Sequence, residues 1–154
     1  MDQELVSFFK KLSESFGPSG FEREPIRMIK ERYEKYADEV MTDGLGSLIL
    51  SRRGSSDRPR VMLAGHCDEV GFIVCDIEEK GFLKFRPLGG WVSFTIPAHK
   101  VVIRTRKGDV FGVIASKPPH LMPPEERKKA PPIEELCIDV GASSKEEVES
   151  LGIR

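Results

Sequence analysis

Along the first third of the chain, apolar residues return every three or four positions. Leu5, Phe8, Phe9, Leu12 and Phe16 fall at that spacing, which predicts a helix over 3–15 with one buried face. Gly17-Pro18-Ser19-Gly20 ends it, because proline and glycine together favour a turn. Ile26, Ile29 and Tyr33 supply the stripe of a second helix over 22–36, with Pro25 tolerated in its first turn. The period then shortens. Val40-Met41 and Leu48-Ile49-Leu50 read as strands joined through Asp43-Gly44, a hairpin signal. Beyond a polar loop over 52–59, Val61-Met62-Leu63-Ala64 is an unbroken apolar block and predicts a buried strand over 60–64.

From Gly71 to Ile114 no helical periodicity appears. Short β-type runs at 73–76, 82–86, 101–105 and 110–114 are punctuated by Glu79-Lys80-Gly81 and Lys107-Gly108-Asp109, the spacing of a small barrel or sandwich. This places a domain boundary near Val70, with an α/β domain over 1–69 and a β-rich domain over 70–154. Residues 117–132 hold paired prolines and the basic cluster Arg127-Lys128-Lys129, the composition of an exposed, extended loop. Leu136 to Asp139 reads as a strand. Ser144 followed by Glu147 is a capping-box signature and predicts a short helix over 144–151.

The candidate chemistry lies directly after the 60–64 strand, in Gly65-His66-Cys67-Asp68-Glu69. In open α/β sheets ligands gather beyond the carboxyl ends of strands. His66 can give one nitrogen to a metal while Asp68 binds the other and fixes tautomer and ring orientation. The spacing alone fits a hydrogen-bonded turn pair better than a ligand and its orienter. Glu69 alternates to the other side of an extended chain and reads as structural, bonded to backbone at the turn. Gly65 and Gly71 are expected to permit tight backbone geometry, and Cys67 to face away from His66. His99, His120, Asp43 and Asp139 occupy strand-entry, loop, turn and strand-end positions with ordinary structural explanations. Trp91, after Gly89-Gly90, reads as a packing anchor.

Composition excludes several classes. With 24 basic and 25 acidic residues the net charge is −1, which gives no electrostatic case for nucleic acid or a membrane surface. Apolar runs fall far short of the ~20 residues that span a bilayer. The acidic start, Met1-Asp2-Gln3-Glu4, is unlike a secretory signal. Cys67, Cys75 and Cys137 show no Cys-x-x-Cys spacing, so neither a disulfide scaffold nor a structural zinc site is expected. A cytoplasmic location is the resulting expectation.

Gly65-His66-Cys67-Asp68-Glu69-Val70-Gly71-Phe72 resembles the His-x-Asp-Glu-(Ile/Val)-Gly-Phe segment of the tetrahedral and glutamyl aminopeptidases, dinuclear metallopeptidases whose relatives are often labelled endoglucanase. Gly17-Pro18-Ser19-Gly20-Phe21-Glu22, the turn Thr42 to Leu48, Ser116 to Leu121 and Ile138 to Glu147 resemble further segments of that family, in family order. The resemblance implies a partial aminopeptidase-type α/β/α catalytic domain over 1–69, followed by an inserted, β-rich, barrel-like assembly domain over 70–154. It implies that His66 is a metal ligand and that Asp68 belongs to the catalytic machinery as the carboxylate holding it. It further implies two divalent ions, zinc or cobalt, a peptide substrate cleaved at its amino end, and a homo-oligomer formed through the β-rich domain. The family's other ligands and its general base fall beyond Arg154, so this chain alone is expected to bind no metal tightly and to be inactive. Trp91-Val92-Ser93-Phe94 departs from the family's Trp-Asp-Pro-Gln, and Cys67 stands where methionine is usual.

Two other readings stand beside this one. The chain could act only as an assembly or interaction module. It could also resemble the endoglucanase-labelled relatives in hydrolysing glycosides, which requires two carboxylates flanking one bond. Asp68 and Glu69 are adjacent and expected to point apart.

Overall fold

The computed structural model describes residues 2–154, which divide into a first compact unit ending at Glu69 and a second spanning Val70–Arg154. The fold is mixed α/β. No helix among the described residues is long and apolar enough to cross a membrane.

The first unit opens with α1 (Gln3–Ser13). Asp2 caps it, its Oδ1 accepting from the Glu4 amide at 2.9 Å, while Lys10 and Lys11 in the last turn complement the helix dipole. After the turn at Gly17–Gly20 comes α2 (Arg23–Tyr33), extended by a 3-10 turn over Glu34–Tyr36. The apolar stripes of the two helices meet where the Phe8 and Tyr33 rings pack edge to face at 5.8 Å. The Arg32 guanidinium lies 4.7 Å above the Phe8 ring and pairs with Glu4 at 3.0 Å.

β1 (Glu39–Thr42) and β2 (Leu48–Ser51) form the expected antiparallel hairpin, with Val40 opposite Leu50. Asp43 closes its turn by accepting from the amides of Leu45 at 2.9 Å and Ser47 at 2.8 Å. Bonds from the Ser47 side chain and backbone, then those from Leu45 and Gly46, hold its carboxyl below the ordinary carboxylate range. A carboxylate depressed in the folded state stabilises the turn fully above its unfolded pKa of about 3.9, and that contribution is lost as pH falls through the lower folded value. Titration from pH 6 to pH 2 is therefore expected to shift the Leu45 and Ser47 amide NMR signals together. Asp43→Asn should remove that coupled step; a shared titration surviving in the variant would disprove the assignment.

The expected strand over 60–64 is absent. Arg60 to Asp68 adopts no regular structure, and Val61, Met62 and Leu63 are 80%, 86% and 94% exposed. A strand exists only by pairing its backbone groups with a neighbour. The two strands of the first unit pair only with each other, which leaves this apolar block without one. The first unit accordingly buries only Gly17, Pro18 and Pro25 among the described residues.

The second unit carries the hydrophobic core. β3 (Gly71–Ile77), β4 (Leu83–Leu88), β5 (Lys100–Thr105), β6 (Gly108–Ala115) and β7 (Cys137–Asp139) form one antiparallel sheet in the order β3-β4-β7-β6-β5. Its edges are β3 and β5, so the sheet is an open half-barrel and not the closed barrel that the strand spacing permitted. The β3–β4 register slips between Val74 and Asp76, which makes Cys75 a bulge residue.

Ile77, Leu83, Phe85, Ile96, Ile114, Leu136 and Ile138 are buried together with Val148 of α3 (Lys145–Ser150) and Ile153. Two glycines are required by this packing. A Cβ on Gly81, at φ +85°, would lie 2.6 Å from the Ala142 carbonyl oxygen, and one on Gly112 would lie 2.6 Å from Ile138 Cγ2. Trp91 is the anchor expected of it: it stacks on Phe72 at 4.5 Å and its indole N–H donates to the Gly71 carbonyl at 3.1 Å. Ser144 caps α3 by accepting from the Glu147 amide, but the Glu147 carboxylate takes the Ser143 amide at 2.7 Å and not that of Ser144. The capping box is thus displaced by one residue. Among the described residues the 117–132 segment forms only two short 3-10 turns, at Pro119–Leu121 and Glu126–Lys128.

Candidate metal-ligand site at His66 and Asp68

No strand end delivers His66 in this structure; the irregular segment 60–68 carries it. What fixes the local geometry is the other end of that segment. The Glu69 amide donates to the Gly17 carbonyl at 2.9 Å, and the Gly17 amide donates to Glu69 Oε1 at 3.2 Å. Pro18 and Glu69 form a parallel β-bridge. The backbone bonds expected of Glu69 are therefore present, and they tie residues 67–69 to the corner between α1 and α2.

Alternation along this segment sorts the side chains. Cys67 is half buried, and that burial, with the nearby charges of Glu22 and Asp68, pushes its thiol above the ordinary cysteine range. A thiol held protonated is a poor nucleophile and a poor metal ligand. His66 faces out, with its side chain 86% exposed, and its Nδ1 lies 2.8 Å from Asp68 Oδ1. If Nδ1 carries the proton, Asp68 accepts it, and Nε2 presents its lone pair to solvent. Asp68 is 35% exposed and is oriented by this one bond. Asp68 and Glu69 thus engage partners in different directions, His66 and Gly17, and do not face each other across a cleft as paired glycosidase carboxylates must.

The donor set fits one imidazole contribution to a metal centre. Among the described residues no group of three or more His, Cys, Asp or Glu side chains could hold an ion. His99 and His120 are exposed and belong to no such cluster. One expectation for glycine needs correction. Gly65 stands in open space, with nothing within 4 Å of a built Cβ, and does not adopt positive φ. The glycine this site requires is Gly17, where a Cβ would lie 2.7 Å from Pro25 Cγ and 3.8 Å from the Cys67 carbonyl oxygen. Its signal in the sequence was the Gly-Pro-Ser-Gly turn itself, which reads as a helix stop and gives no hint of the distant segment packed on it.

The sequence profile of the M42 glutamyl aminopeptidases matches residues 46–154. The chain belongs to the M42 glutamyl aminopeptidase family. It is 40% identical over 157 aligned residues to the lysyl aminopeptidase of Pyrococcus furiosus, covering 100% of this chain and 44% of that protein. A TET aminopeptidase from a marine-sediment archaeon of the Thaumarchaeota superimposes with a TM-score of 0.93 at 52% identity, over 98% of this chain and 42% of that one. The Pyrococcus horikoshii TET1 peptidase, which can assemble into a tetrahedron or a large octahedral shell, superimposes with a TM-score of 0.80 at 33% identity, over 96% of this chain and 43% of its own. As a member of M42, the chain spans about two fifths of the length of these relatives.

Proposed function

We propose that this chain is the His66-bearing part of a metal-dependent aminopeptidase that removes residues from the amino ends of peptides. The observation that carries the reading is the 2.8 Å bond between His66 Nδ1 and Asp68 Oδ1 on an exposed ring, which pre-sets one nitrogen for coordination. His66 Nε2 would hold one of two divalent ions, zinc or cobalt. Bound there, they supply polarisation of the scissile carbonyl and a water acidic enough to ionise near neutral pH. Asp68 keeps the imidazole in a single tautomer and adds negative charge behind it, which raises its donor strength. The other donors and the general base come from the length that the M42 relatives have beyond the matched two fifths, so residues 1–154 alone turn over no peptide. Asp68 within the catalytic machinery and residues 1–69 as catalytic-domain sequence are parts of the same proposal.

The protein as its gene encodes it, loaded with zinc or cobalt, should release amino-terminal residues from unblocked peptides and leave acetylated peptides intact. Equal cleavage of both would sink the exopeptidase reading. Cleavage unaffected by chelation would sink the metal.

An assembly role for residues 70–154 has its own support. Val102 on β5 lies directly opposite Phe111 on β6. Phe111 is 73% exposed, and Val113, two residues along the same strand and hence on the same face, is exposed as well. Exposed aromatic and aliphatic clusters of this kind mark interfaces. In our proposal a second copy of the chain covers this stripe, as assembly of the P. horikoshii TET1 relative into closed shells suggests. Phe111→Glu should lower the sedimentation coefficient to that of a smaller species with the far-UV spectrum unchanged. An unaltered coefficient would place the interface elsewhere.

A further inference from the structure

We propose that Glu69 is a positioning residue, which aims the His66–Asp68 pair by buttoning its segment onto the Gly17–Glu22 turn. The inference rests on the reading of His66 as a metal ligand, and it concerns what holds that ligand in place.

Two observations meet at this corner. First, Glu69 is bound twice to one residue, its amide donating to the Gly17 carbonyl at 2.9 Å and its carboxylate accepting from the Gly17 amide at 3.2 Å. A two-point attachment to one residue fixes rotation as well as distance. Second, the turn it grips is rigid. Gly17 sits against the Pro25 ring too closely to carry a side chain, the Glu22 carboxylate accepts from the Gly20 amide at 2.6 Å, and the Phe21 amide donates to the Pro18 carbonyl at 2.7 Å. Gly17, Pro18 and Pro25 are the residues the first unit buries, so the clamp is made at its best-packed point.

Glu69 directly follows Asp68, so this attachment fixes the backbone on the carboxyl side of the His66–Asp68 pair. Cys67 is half buried at this corner, and the exposed His66 ring bonds to the half-buried Asp68. An orienting carboxylate is effective only if its own backbone is held. Glu69 supplies that hold for Asp68 without touching either the metal or the substrate.

The test compares Glu69→Ala with Glu69→Gln in the protein as its gene encodes it. Glutamine keeps an acceptor for the Gly17 amide, and alanine removes it. Three properties are read: Gly17 amide exchange, the ¹⁵N shifts of the His66 ring at one fixed pH without metal, and zinc affinity by competition with a chelator. In Glu69→Ala we expect faster Gly17 exchange, ring shifts moving toward a mixture of tautomers, and zinc affinity lower by about tenfold or more, in the range seen when a ligand loses its supporting partner. The thermal midpoint should hold, because the core lies in the second unit. Glu69→Gln should restore ring shifts and affinity to near the wild-type values. Wild-type ring shifts and zinc affinity in Glu69→Ala would overturn the proposal. So would a Glu69→Gln variant as impaired as Glu69→Ala, because negative charge, and not the clamp, would then be what matters. Should the wild-type protein bind no zinc and cleave no peptide, the aminopeptidase reading falls. The exchange and ring-shift comparison still decides the clamp.

Discussion

His66→Ala is expected to reduce peptide turnover by at least about 100-fold and to remove one equivalent of tightly held metal, measured on the protein as its gene encodes it. The magnitude follows from a lower bound. Losing a partner that merely orients a metal-bound histidine costs about 10–100-fold in affinity or activity, and losing the imidazole costs more. Asp68→Asn sets that bound directly. Its amide oxygen can still accept from Nδ1, but it carries no charge, and its nitrogen can turn toward the ring and favour the wrong tautomer. We therefore expect Asp68→Asn to fall between wild type and His66→Ala, with the loss appearing chiefly in kcat. Metal analysis and steady-state kinetics on the same preparations check both. Full metal content and unchanged turnover in His66→Ala would remove His66 from the centre, and the shared family of the relatives would not rescue it.

The second large effect concerns stability. Leu83 is fully buried, lies opposite Ile77 of β3 and Ile138 of β7 in register, and shares the core with Phe85, Ile114 and Val148. Leu83→Ala removes its contacts with both neighbouring strands and leaves a void that surrounding strands can only partly close. About 2–5 kcal/mol is the expected loss. In a cooperative unit of this size that lowers the midpoint of thermal unfolding by about 10 °C or more. Calorimetry would show it. Glu69→Ala, on the first unit, should leave the same transition in place. A drop of only a degree or two in Leu83→Ala would mean that the second unit's core lies elsewhere.

The elements that were legible in the sequence are those whose partners lie close along the chain. The helices over 3–15 and 22–36, the hairpin turned by Asp43, and the hairpins β3–β4 and β5–β6 all close on neighbours within about fifteen residues, so local periodicity and turn chemistry suffice. The role of Trp91 and the bond between His66 and Asp68 were equally readable. The first rests on side-chain type and the second on a spacing of two. The 60–64 strand failed for the opposite reason. Its apolar block states that the segment is to be covered, but covering needs strands that neither β1 nor β2 provides. Gly65 was assigned a geometric task from its place in a motif, whereas the steric demand falls on Gly17, fifty residues away from the segment it serves.

The sequence by itself determined the local alphabet of this protein: helix faces, hairpins, the capped α3, and a histidine with a carboxylate two residues on. Tertiary structure alone decided which of these are held and by what. Among the described residues it put the buried apolar cluster into residues 77–153, and it closed Glu69 onto Gly17. The physical reason is that burial and backbone pairing belong to pairs of distant segments. A single segment can display an apolar surface or an unpaired amide, but only its neighbour in space settles whether that group is satisfied.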